Sequence, residues 1–338
     1  MISGKTNPRI VFFGNERLVS GLDYTDTPVL KGLIEEGYDI VAVVSHHTES
    51  RSRSARPLEV ADVAKEHDIP LFLPAKPMEI YDILAELNAD VAILVAYGRI
   101  IPQKIIDLFP AGIINVHPSL LPKYRGPTPI ETPIAKNDTE TGVSIMQLTS
   151  GMDEGPVYVQ ETIALTPHDT KFTVYESLVT KSADLLLQAL PRILDGSLQP
   201  ISQDNTKATY CQLLTKKDAF IDPSSLTASQ ADAHVRAYLG FPGTRLTLGS
   251  IEVILTSTHV SDTATELSVP CADATFLAID ALKPLGKKRN ARKGISCWLQ
   301  ISAVVMPLEN TDRYHHFVVA EVIERPLRLA ASHQDLSA

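Results

Sequence analysis

Cysteine is scarce. The chain of 338 residues has three, Cys211, Cys271 and Cys297, and no C-x-x-C pair. That argues against a disulfide framework and against a cysteine-built zinc site, and it fits a reduced, cytoplasmic protein. No apolar run reaches the roughly 18 to 20 residues that a membrane helix needs, so no membrane partner is expected. The opening MISGKTNPRIVFFG lacks an h-region and a small-residue cleavage site, and no secretory signal is expected. The first apolar run is followed by GNERLVSG rather than G-x-G-x-x-G, and no P-loop occurs, so a nucleotide phosphate cradle is missing. No His/Cys/Asp/Glu cluster has metal spacing. His46-His47 and His315-His316 are adjacent pairs that would point to opposite faces of a strand, so no metal is expected. Internal repeats and long low-complexity tracts are absent too.

What remains is a chain built to fold. Its hydrophobic fraction is 44% and its charged fraction 21%, and its length suits two domains. RIVFFG (Arg9 to Gly14), DIVAVVS (Asp39 to Ser45), DVAILVAYG (Asp90 to Gly98) and GIINV (Gly112 to Val116) are nearly continuous apolar runs. Such runs are expected of parallel strands covered on both faces. Amphipathic helical stretches alternate with them: Thr27 to Gly37, Arg56 to Ile69 and Met78 to Asn88. A short helix near Pro102, a short strand at 71–73, two strands over Thr141 to Thr149 and Pro156 to Leu165, and a long helix from Thr173 to Gly196 complete the first part. The alternation predicts an α/β fold with a doubly wound, mostly parallel, Rossmann-like sheet over residues 1–206.

Residues 207–222 read as a linker. Over 223–330 the pattern changes to four or five strands with turns between them, preceded by a short helix, which suggests a small OB-like β-barrel. Charge divides the same way. The net charge of -9 argues against a nucleic-acid binder on its own, but the acidity belongs to the first part. The second carries KPLGKKRNARK, Lys283 to Lys293, with six basic residues and no acid. A clustered basic run matters more to a phosphate backbone than total charge, although a solvated loop would carry the same residues.

In doubly wound folds ligands bind beyond the C-terminal ends of the strands. Tyr97-Gly98 and Asn115 to His117 fall there. Residues i and i+2 of a strand share a face, so Asn115 and His117 can point into one cleft. The Asn supplies a permanent N–H donor, and the His a donor or acceptor whose state a carboxylate such as Asp153 can set. Two donors converging on one point can stabilise an oxyanion, and no nucleophilic Ser or Cys stands among them. Attack by a substrate nucleophile is the matching chemistry. A structural hydrogen-bonding pair is the commoner reason for Asn-x-His at a strand end. Ser119 reads as a turn former, and Lys123 and Arg125 as surface charges.

INVHPSLLPKYRG, with AYG upstream and TGVSIMQLTSGMDEG downstream, resembles the formyltransferase family that uses 10-formyltetrahydrofolate. Within it the similarity is greatest to the branch that formylates methionyl initiator tRNA. That branch joins a C-terminal barrel through a segment like ATYCQLLTKKDAFID and carries a run like KPLGKK. The resemblance implies catalytic roles for Asn115, His117 and Asp153, and folate contacts for Ser119, Leu120, Leu121 and Pro122, with Tyr97 and Gly98 beside them. It implies folate and charged initiator tRNA as partners, a place in translation initiation, and a chain able to work as a monomer. Arg51, Arg53 and Arg56, in a loop shorter than the family's and without glycine, and Lys287, Lys288 and Arg289 are the candidate tRNA contacts. Tyr124 stands where Trp is common, and HPS is nearer to the sugar and glycinamide ribotide branches. An amino-sugar N-formyltransferase, a formyltetrahydrofolate hydrolase and an inactive RNA-binding module therefore stay open.

Overall fold

A computed structural model describes residues 7–22, 24–46, 58–249, 251–285, 300–305 and 318–323. The chain forms two compact units. One holds Met1–Lys216 together with Arg236–Pro242, and the other Lys217–Val235 and Gly243–Ala338. The stretch 207–222, expected as a linker, is thus divided at Lys216. The reason is hydrogen bonding: Thr209 N and O bond Pro122 O and Arg125 N, and Cys211 N donates to Arg125 O, which binds this stretch to the first unit.

The first unit is built on a seven-stranded sheet of order β3-β2-β1-β4-β5-β6-β7. In chain order its elements are β1 (Arg9–Gly14), α1 (Pro28–Glu35), β2 (Asp39–Val44), α2 (Glu59–Glu66), β3 (Leu71–Phe72), α3 (Tyr81–Glu86), β4 (Val91–Val95), α4 (Gln103–Ile106), β5 (Ile113–His117), α5 (Glu131–Ala135), β6 (Glu140–Gln147), β7 (Val157–Ala164) and α6 (Lys171–Leu194). β1 to β5 are parallel, and β6 and β7 are added antiparallel.

Each inner strand feeds two cores. Ile10, Phe12, Val91, Ile93, Ile114 and Val116 face one, closed by α1, α2 and α6. Val11, Phe13, Ala92, Leu94 and Ile113 face the other, closed by Leu84 of α3 and by Ile105 and Ile106 of α4. Apolar residues on both faces explain the unbroken hydrophobic runs. β7, at the edge, instead alternates half-buried and exposed residues.

The order reverses at β1, which lies between β2 and β4. A crevice opens outside the C-terminal ends of strands at such a point. Gly14 ends β1 with φ 135°, and a Cβ there would stand 1.8 Å from Val95 O, so no other residue fits this approach of β1 to β4.

In the second unit a helix, α7 (Ala228–Ala237, its last two residues counted with the first unit), precedes β8 (Thr244–Leu248), β9 (Ile251–Ser261), β10 (Ser268–Pro270) and β11 (Phe276–Pro284). These strands form an antiparallel sheet of order β10-β11-β9-β8. β12 (Gln300–Val305) and β13 (Val318–Ile323) pair as a separate antiparallel ribbon. Register shifts along the β9–β11 pair bend the sheet, as bulges do, which is consistent with a small barrel domain.

Candidate active site

β5 positions the first two site residues. Ile113 enters the core on one face, so Asn115 and His117 continue that face toward the strand's C-terminal end, while Ile114 and Val116 turn the other way. Both polar side chains are buried. Asn115 lies between Leu94 of β4 and Met146 of β6, and His117 opposite Ser144.

Asp153 arrives from the loop between β6 and β7 with φ 49°. Its Oδ1 is 3.7 Å from His117 Nδ1, and its Oδ2 accepts from Gly126 N at 2.8 Å. His117 Nε2 lies 3.0 Å from Tyr124 O. A carbonyl can only accept, so Nε2 carries a hydrogen. The orienting partner of the ring is therefore a main-chain carbonyl. Asp153 faces the other nitrogen, beyond hydrogen-bond length, which leaves Nδ1 open to a further partner.

The stretch after β5 is tied down from several sides. Ser119 Oγ donates to Lys123 O at 2.7 Å, closing a turn, and Ser144 Oγ donates to Ser119 O at 2.6 Å. Leu121 N donates to Ser144 Oγ at 3.2 Å, and Leu121 O accepts from Gln160 Nε2 at 2.9 Å. Leu120 packs over Gly142 of β6. Pro122 O accepts from Thr209 N. Tyr97 turns its ring into the core, edge-on to Phe13 at 5.4 Å, with its hydroxyl unpartnered, and Gly98 follows exposed at φ 69°. Ile100, 83% exposed, and Met152, 60% exposed, stand out from the loops that carry Gly98 and Asp153.

One expectation at this site is corrected. Arg125 is not a surface charge: it is 1% exposed, and its guanidinium donates to Gln203 Oε1, Asn205 Oδ1 and the Tyr210 hydroxyl. Its sequence neighbours, all polar or turn-forming, gave no sign of this. Tyr124 is buried as well, its hydroxyl donating to Asp138 Oδ2 at 2.5 Å. Burial, then this bond, push its phenol well above the usual range. Gln203 and Cys211 are support residues that the sequence reading missed. Gly126 has φ 117°, and a Cβ there would meet Cys211 O at 2.5 Å, so only glycine admits the chain from Thr209 to Gln212 this close. Burial raises the Cys211 thiol, whose sulfur accepts from Thr128 N.

Arg51, Arg53, Arg56, Lys287, Lys288 and Arg289, the candidate tRNA contacts, lie outside the described residues. Among the described residues no group of His, Cys, Asp or Glu is arranged to hold a metal, and no helix is long and apolar enough to cross a membrane.

A family model described as formyl transferase matches residues 15–190. Among solved structures, an N-formyltransferase from Helicobacter canadensis, in complex with folinic acid and dTDP-3-aminofucose, superposes with a TM-score of 0.61 at 17% identity, over 80% of this chain and 98% of that one. HypX from Aquifex aeolicus in complex with tetrahydrofolic acid superposes at 0.55 with 16% identity, over 84% of this chain and 45% of that one. At such identities these two speak for the fold alone. The class is an α/β formyl-group transferase.

Sequence relatives go further. A methionyl-tRNA formyltransferase from Lactobacillus acidophilus is 34% identical over 78% of this chain and 88% of its own. One from Thermotoga maritima is 33% identical over 73% and 78%. The chain belongs to the formyl transferase family.

Proposed function

We propose that the chain transfers the formyl group of 10-formyltetrahydrofolate to the free α-amine of methionyl initiator tRNA, the step that prepares this tRNA for translation initiation. One observation carries the choice of acceptor: kinship above 30% identity, over most of both chains, with two methionyl-tRNA formyltransferases. The likeness to the Helicobacter canadensis N-formyltransferase speaks for the fold alone.

The amine nitrogen attacks the formyl carbon, and the carbonyl oxygen gains negative charge. Asn115 donates its amide N–H to that oxygen. His117, held by Tyr124 O at Nε2, presents Nδ1 as the second donor when protonated, with Asp153 balancing its charge. The amine's proton leaves through water beside this pair. The intermediate then collapses, the bond from the formyl carbon to folate N10 breaks, and N10 takes up a proton as tetrahydrofolate departs. No enzyme nucleophile is needed. Leu120, Pro122 and Gly98 line the folate side in this reading, with Ile100 and Met152 as further apolar contacts, while the buried Tyr97, Ser119 and Leu121 shape that side from behind. Arg51, Arg53, Arg56 and Lys287 to Arg289 supply positive charge for the tRNA.

The deciding experiment offers 10-formyltetrahydrofolate with charged initiator tRNA, with an amino-sugar nucleotide, and with water alone. Formylated methionyl-tRNA is the expected product. Folate turnover that leaves the tRNA untouched defeats the assignment in favour of the sugar enzyme or the hydrolase. Asn115→Ala and His117→Ala should each lower the rate roughly a hundredfold, as loss of an oxyanion donor does.

A further inference from the structure

The position of Asp153 rests on a residue fifty positions away in sequence. Gln203 Nε2 donates to Asp153 O at 2.8 Å and to Gly155 O at 2.7 Å. Its Oε1 accepts from Arg125 Nε at 3.1 Å and from Arg125 Nη2 at 2.8 Å. Both donors and both acceptor sites of the carboxamide are used. Its orientation is fixed by chemistry, because arginine can only donate and carbonyls can only accept.

These bonds close a ring. Asp153 Oδ2 accepts from Gly126 N, Gly126 follows Arg125, Arg125 donates to Gln203, and Gln203 returns to the main chain at Asp153. The carboxylate that faces His117 Nδ1 is thereby held at its side chain and at its backbone. Asp153 sits at positive φ, a conformation that a non-glycine residue keeps only where its surroundings over-determine it. Gln203 lies beyond the 15–190 stretch that the family model matches.

We propose that Gln203 is a positioning residue for formyl transfer, setting the Asp153 carboxylate against His117 through Arg125 and the main chain of residues 153–155. This rests on the roles given to Asp153 and His117 under the proposed function. Gln203→Glu separates positioning from folding. A glutamate still accepts from Arg125, as a carboxylate does well. It has no hydrogens for the two carbonyls and sets its charge against them. Gln203→Met, of similar size, removes both sets of bonds and guards against an anomalous effect of the new charge.

The full-length chain and both variants are compared by steady-state kinetics, thermal unfolding, and NMR of glycine-labelled protein, with Gly126 N–H reporting its bond to Asp153. The expected result for Gln203→Glu is a fall in kcat of about tenfold or more, because a small misplacement of a reacting group can cost up to about a hundredfold. KM for the donor should stay within about twofold, since ground-state binding is untouched. The unfolding midpoint should hold, and the Gly126 amide signal should be displaced. The Gln203→Glu deficit should shrink at low pH, where a protonated carboxyl regains one donor, while that of Gln203→Met should not. Unchanged kcat in both variants overturns the proposal. So does a loss of kcat that only follows a fall in unfolding midpoint with the Gly126 signal in place. If the unaltered chain formylates no acceptor, the catalytic reading fails, and the Gly126 signal alone decides: undisturbed in both variants, it overturns the positioning role; displaced, it upholds it.

Discussion

Glu16 illustrates how one buried side chain can make stability depend on pH. It is fully buried, with Oε2 accepting from Val29 N at 2.9 Å and Oε1 from Leu30 N at 2.8 Å. It caps α1, whose N-cap residue Thr27 makes no side-chain bond of its own. Burial pushes its carboxyl up to about 7, against the downward pull of the two amides. The folded state thus binds a proton that the unfolded chain releases. The stabilisation is fully present below the unfolded value of 4.5 and is lost as pH rises through about 7. The span corresponds to roughly 3 kcal/mol. Glu16→Gln cannot ionise and should remove this slope, so in urea denaturation from pH 5 to pH 8 the stability of the unaltered chain relative to the variant should fall as pH rises. Parallel curves would sink the idea. That Asn115 and His117 share one face was legible because a period of two and a strand end mark it locally; Asp153, on a loop, carries no such mark. Glu16, Arg125 and Gln203 were not, because their partners lie 13 to 85 residues away and nothing local distinguishes them from solvated polar side chains.

At the scale of elements, α6 shows where sequence patterns stop short. Its apolar stripe placed the helix from Thr173 to Gly196, whereas it runs Lys171–Leu194, 24 residues or about 36 Å. The start was hidden because the capping box uses Thr173 rather than Glu: Thr170 Oγ1 accepts from Thr173 N, and Thr173 Oγ1 accepts from Thr170 N. Lys171, in the first turn, is buried and donates to Phe241 O and Ser20 Oγ, which a pattern that reads lysine as exposed cannot foresee. Thr170→Ala should cost about 1 kcal/mol, read as a lower urea midpoint at unchanged slope. The parallel strands were legible because burial on both faces writes itself as a continuous run. β3, two residues long, left only a trace.

At the scale of the whole molecule, charge is unevenly shared. The overall -9 hides a C-terminal part with a run of six basic residues. If that run meets tRNA phosphates, affinity should fall steeply with salt. Reversing Lys287 and Lys288 together should flatten the plot of log affinity against log salt by about two contacts' worth, measured by tRNA binding over a series of salt concentrations. An unaltered slope removes these residues from the interface.

The chain between Gln203 and Gln212 also bears on how such a protein can be divided or recombined. Its polar composition suggests a dispensable tether, and a cut near residue 200 would spare every strand of the large sheet, Asn115, His117 and Asp153. It would nonetheless strip away the acceptors that bury Arg125 and the residues that back Gly126 and Thr128. The stretch that frames the candidate site therefore runs past the last helix of the large sheet, at least to Gln212. A shuffling event that grafts a different C-terminal module onto this sheet must keep that stretch, or it inherits the candidate site residues without their frame.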